Sequence, residues 1–156
     1  MGLHLTKVFD APGPHPNGMQ GSTKGLWILD QGDNKVTCQS YKDGTILKSF
    51  DTKSDRGSGI THSGTELWLS STYSCEVLKC DPATGETIES YPAPGAEKTG
   101  SHGLEWVDGE LWVTTPPAAT IYRMNPDTWE IIQSFPAPGD RPHGLAWENG
   151  KLWCVE

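Results

Sequence analysis

The chain has no long hydrophobic run. No window approaches the ~20 apolar residues that a membrane-spanning helix needs, and the mean hydropathy is −0.51. The stretch from Met1 to Lys7 lacks the build of a secretory signal and soon meets proline and glycine. No membrane contact is expected, and the cytoplasm is the expected compartment. Basic residues are also scarce: 12 Lys and Arg against 20 Asp and Glu give a net charge of −8. That balance disfavours nucleic-acid phosphates and anionic lipid as partners and leaves small molecules, cations or proteins. The four cysteines, Cys38, Cys75, Cys80 and Cys154, show no CxxC spacing. Neither a zinc clip nor a disulfide framework is indicated, so they read as free thiols. Helical periodicity is missing throughout. What is abundant is glycine (18), proline (12) and tryptophan (7) within 156 residues. Such a composition suits one domain, residues 1–156, of many turns and short strands.

The tryptophans reveal an internal repeat. Leu26-Trp27, Leu67-Trp68, Leu111-Trp112 and Leu152-Trp153 place tryptophan at intervals of 41, 44 and 41 residues. A second column of aromatics, Phe9, Phe50, Tyr91 and Phe135, keeps step, and Ala-Pro-Gly recurs at residues 11–13, 93–95 and 137–139. Ten residues before each repeat tryptophan stand Asn17-Gly18, Ser58-Gly59, His102-Gly103 and His143-Gly144. Each repeat reads as four short strands, for example 103–106, 111–114, 120–124 and 130–135, with hairpin turns at Asp108-Gly109, Asn149-Gly150, Asp43-Gly44 and Thr84-Gly85. Trp129 occupies the position of Gly44 and Gly85, so either the turn changes type or a bulky residue is held in a strained conformation. A surface substitution is expected there, with a contact surface as the alternative.

Four antiparallel strands per repeat of this length predict an all-β fold, the β-propeller, whose blades bury their apolar faces only against one another. The repeats run approximately over 14–54, 55–98, 99–139 and a partial 140–156. The Leu-Trp columns are expected to form the core between blades. The segment Pro142-His143-Gly144-Leu145-Ala146-Trp147, the following hairpin, Leu152-Trp153, and the turns Asn125-Pro126-Asp127-Thr128 and Asp81-Pro82-Ala83-Thr84-Gly85 resemble the repeats of streptogramin lyase-like (virginiamycin B lyase) and YVTN-type propellers. The resemblance spans nearly the whole chain and implies the fold. The lyases of that family are seven-bladed and magnesium-dependent, with a catalytic histidine and glutamate late in a longer chain. No stretch here matches that motif, and those residues are not carried over.

Counting strands A to D outward from the channel gives a lone D strand at Phe9, three full blades, and the A and B strands of a fourth. Fifteen strands are one short of whole blades, about three and a half blades per chain. Uncovered edges and faces call for a partner, and a homodimer closing one ring is the expected solution. The alternative is that these blades belong to a longer propeller. Two columns crowd the channel mouth where strands A begin and strands B end: Asn17, Ser58, His102 and His143, then Asp30, Ser71, Thr115 and Glu156. Their polarity, against apolar neighbours, predicts a site for a small-molecule or protein ligand or for a divalent cation. The competing reading of both columns is that they hydrogen-bond the loops. His62, at the far end of its strand, is expected in packing. Two functions remain open: a binding and assembly module, or a metal-dependent lyase, lactonase or cyclase using the histidines as acid and base.

Overall fold

The structure, a computed structural model, describes residues 3–156. Its strands form four separate antiparallel sheets. Blade 1 comprises β1 (Pro16–Gly21), β2 (Leu26–Asp30), β3 (Lys35–Gln39) and β4 (Ile46–Asp51). Blade 2 comprises β5 (Gly57–His62), β6 (Leu67–Ser71), β7 (Glu76–Cys80) and β8 (Thr87–Pro92). Blade 3 comprises β9 (Leu104–Val107), β10 (Glu110–Thr115), β11 (Thr120–Met124) and β12 (Ile131–Pro136). The fourth sheet holds only β13 (Leu145–Glu148) and β14 (Lys151–Cys154). Strand order within each sheet follows chain order, so every connection is a hairpin. The innermost strands β1, β5, β9 and β13 lie side by side in that order. This is a β-propeller of three complete blades and the inner half of a fourth.

Alternation along the B strands decides how blades stack. In β2, Trp27 and Leu29 face blade 2; in β6, Leu67 and Leu69 face back toward them, and Trp68 faces blade 3. The first interface accordingly gathers Trp27, Leu29, Val36 and Cys38 with Ile60, Leu67, Leu69, Leu78 and Cys80. The second gathers Trp68, Val77 and Ala93 with Leu104, Leu111, Val113 and Met124. Period-two alternation thus gives each blade two apolar faces. The indole nitrogens of Trp27, Trp68 and Trp112 are buried without a hydrogen-bond partner, so it is contact area that holds these side chains between blades.

The innermost strands approach one another more closely than side chains would allow. A Cβ on Gly59 would overlap the carbonyl oxygen of His102, one on Gly103 that of His143, and one on Gly18 would lie 2.9 Å from that of Ser58. The glycine column therefore brings each A strand against the backbone of the next. Turn chemistry follows the sequence as well: Asp108 (φ 50°) and Gly109 (φ 88°), and Asn149 (φ 51°) and Gly150 (φ 73°), have the paired positive angles of type I′ hairpins.

Two expectations are corrected. Phe9 lies in no strand, and the described residues contain fourteen strands rather than fifteen. Its segment has no C strand to pair with; Phe9 instead packs on Gly44, as Phe50 packs on Gly85 in the next blade. Trp129 is no surface substitution. It takes the positive φ of the glycines it replaces, 59°, and its ring turns inward onto Tyr91 and Trp68. His62 does sit in packing: its ring is 5.9 Å from that of Trp27, and its Nδ1 accepts the N–H of Gly64.

Candidate functional site

The first polar column converges on one place. Asn17, Ser58, His102 and His143 all line a cavity of about 280 Å³ framed by the four innermost strands. Ser58 is buried and accepts a hydrogen bond from the Thr72 hydroxyl, which also reaches the Ser101 carbonyl. Asn17 stands exposed at the rim. His102 and His143 face each other across the blade 3–4 boundary, with Nδ1 atoms 3.2 Å apart and rings nearly edge to face at 71°. That spacing lets one imidazole donate to the other only when the two hold complementary tautomers. Burial, reinforced by His143 and Arg141 nearby, depresses the pKa of His102 from 6.5 to about 4, so this ring is neutral at physiological pH.

The second column behaves differently. Both Asp30 carboxylate oxygens accept backbone N–H groups, those of His15, Gly32 and Asp33. The Ser71 hydroxyl accepts the Asp55 N–H, and the Thr115 hydroxyl donates to the Pro94 carbonyl. In three successive blades this position ties the end of strand B to the loop that leads into strand A. Glu156 alone of the column lines a mouth cavity, of about 460 Å³, together with Asp140, Arg141 and His143. A third cavity, about 330 Å³, is walled by Gln31, Thr72, Tyr73, Thr99, His102 and Arg141 among others. Repeat spacing did not single out Arg141 and Tyr73, because neither recurs; their position in or beside the mouth loops was the available signal.

The donor set can be tested against a cation. Two imidazole nitrogens sharing a tetrahedral zinc-type ion at about 2.0–2.1 Å would stand about 3.3 Å apart, close to the 3.2 Å found here. Magnesium, which requires an octahedron of oxygens, does not fit a pair of nitrogens. No group of three or more His, Cys, Asp or Glu positioned around one ion occurs among the described residues. The pair alone supplies two nitrogens where a tetrahedral ion takes four ligands.

No family model matches the chain, and no curated protein matches it. Solved structures do match. Catalytically inactive virginiamycin B lyase from Staphylococcus aureus, with quinupristin, is similar over 91% of this chain and 49% of its own, at 23% identity and TM-score 0.67. Glutaminyl cyclase from Myxococcus xanthus is similar over 91% of this chain and 63% of its own, at 11% identity and TM-score 0.74. The computationally designed Ika4 protein is similar over 98% of this chain and 100% of its own, at 10% identity and TM-score 0.64. The chain thus spans about half the length of the lyase. At these identities the likeness establishes the β-propeller fold, a scaffold that enzymes and other proteins share. Among the described residues, no helix is long and apolar enough to cross a membrane.

Proposed function

We propose that this chain is a propeller binding module whose mouth site, built on His102 and His143, takes a small polar molecule or a nitrogen-preferring divalent cation. The observation that carries the reading is the convergence of four repeat-equivalent polar residues on one cavity, with two Nδ1 atoms 3.2 Å apart. A ligand completes what the protein leaves half-built, and the exposed Asn17 and Glu156 flank the approach to it. The partner is a second copy of the chain, forming a homodimer, and the four unpaired thiols fit a reducing cytoplasm.

The test is calorimetric titration of the chain with Zn²⁺ at neutral pH. Binding is expected for the wild type and lost in His102→Ala and His143→Ala, whose unfolding midpoints stay close to the wild-type value. Equal uptake by all three would remove the site. A second reading, a lyase, lactonase or cyclase, draws on the same residues, with the facing imidazoles as acid and base. Resemblance to the lyase repeats supports it by analogy alone. Turnover of a cyclic ester or lactone by the wild type, abolished in His102→Ala, would decide for the enzyme.

A further inference from the structure

We infer that the outward face of blade 4 and the inner part of blade 1 are the two sides of one blade interface, formed between two copies of this chain. The inference rests on the homodimer proposed above and adds the surfaces that make it. Each complete interface pairs the tryptophan of one B strand with the A and B strands of the next blade. Trp68 is 1% exposed in such a setting; Trp153, in the same register on β14, is 56% exposed. Val155 beside it is also exposed. On the receiving side, Ile60 is 2% exposed where blade 1 covers it, while Met19, its equivalent on β1, is 67% exposed.

The glycine column carries the same message. Gly18, Gly59 and Gly103 each receive a backbone carbonyl from the following blade, but Gly144 meets only the Val155 side chain. The missing neighbour would present the carbonyl of the residue in the first polar column, which on blade 1 is Asn17. The outer part of blade 1 is already covered by its own chain. Phe9 packs on Gly44, and the Gln39 amide donates to the Asp10 carbonyl. The opening that remains lies over Met19 and the inner strands, where β13 and β14 of another copy belong. Donor and acceptor faces lie at opposite ends of one chain, so two copies related by a two-fold axis satisfy both at once and close the ring. The occupant continues an interface the molecule already makes twice.

Light scattering on size-exclusion fractions of the full chain, at micromolar concentration, tests this with Trp153→Asp and Met19→Asp. The wild type is expected at twice 17.0 kDa and each variant at the single mass, with unchanged circular dichroism because both side chains are exposed within one chain. Mixing the two variants is expected to restore dimer in part, since the mixed pair keeps one intact interface. A wild-type monomer overturns the homodimer itself, and an open series of larger species overturns its closure. A wild-type dimer that survives both substitutions leaves the homodimer standing and overturns these faces.

Discussion

The rings of Trp129 and Tyr91 stack 4.3 Å apart at 15°, although Trp129 holds a backbone angle, φ 59°, that the other blades give to glycine. Its indole N–H donates to the Pro92 carbonyl, and a second stack at 7° joins it to Trp68. Blades 1 and 2 use the same corner differently, setting the flat surface of a glycine against Phe9 and Phe50. Here an aromatic stack offsets a left-handed backbone that costs about 1–2 kcal/mol in a residue with a Cβ.

That balance gives an inverted substitution order. Trp129→Ala loses the stack and keeps the strained angle, whereas Trp129→Gly loses the stack and relieves the angle. Alanine is expected to be the worse of the two by about 1 kcal/mol, with both below wild type, read from urea midpoints. A glycine variant less stable than the alanine variant would show that the angle carries no strain.

Trp68 offers a separate test of what holds blades together. Trp68→Ala should cost about 3–5 kcal/mol through the cavity it leaves. Trp68→Phe keeps much of the ring area and removes a buried N–H that has no partner, so its cost should be well under half that of alanine. Similar losses for the two would mean that the indole nitrogen contributes more than its surroundings imply.

Blades were legible from the sequence because their determinants are local and repeated: Leu-Trp pairs, turn glycines and period-two alternation. The first polar column was legible too, as Asn17, Ser58, His102 and His143 break an apolar pattern in phase. What Asp30, Ser71 and Thr115 bond to was not legible, since their partners are backbone groups of His15, Asp55 and Pro94, which no side-chain pattern reveals. Phe9 shows the converse: its surroundings read as a strand, but a strand needs a neighbour, and neighbours are set by topology. Trp129 departs from its column, and an in-phase pattern says nothing about which contact a departure makes.

Two half-buried groups at the blade 3–4 boundary have opposing pH dependences. His102 titrates near 4 when folded and near 6.5 when free. The unfolded chain therefore binds the extra proton in that window, and stability falls as pH drops through it. Burial pushes Glu105 from 4.5 to about 7, opposed in part by the backbone N–H of Trp147. The folded chain keeps this proton while the unfolded chain releases it, so stability falls as pH rises from about 4.5 to 7. The windows overlap between about pH 4.5 and 6.5 and the slopes oppose, so they largely cancel in the wild type. Chemical denaturation across pH 4 to 8 should show each slope only once the other group is replaced. His102→Gln should remove the acid one and Glu105→Gln the other, because glutamine stays neutral and still offers Trp147 an acceptor.

The glycine column yields the sharpest contrast between equivalent positions. Gly59→Ala would drive a methyl group into the His102 carbonyl, a backbone atom held by the β9–β10 hairpin and unable to rotate away. Blades 2 and 3 must separate, at about 1–3 kcal/mol, and His102 must move with its strand. Gly144→Ala meets only the Val155 side chain, with Cγ2 at 3.0 Å, which can yield by turning about χ1. Within one chain it should therefore be nearly neutral, while dimer formation should weaken because the Asn17 carbonyl of the second copy can no longer approach. Urea midpoints at a concentration below dimerisation and light scattering above it separate the two effects. Equal loss of monomer stability at both positions would show that these glycines serve something other than close approach between blades.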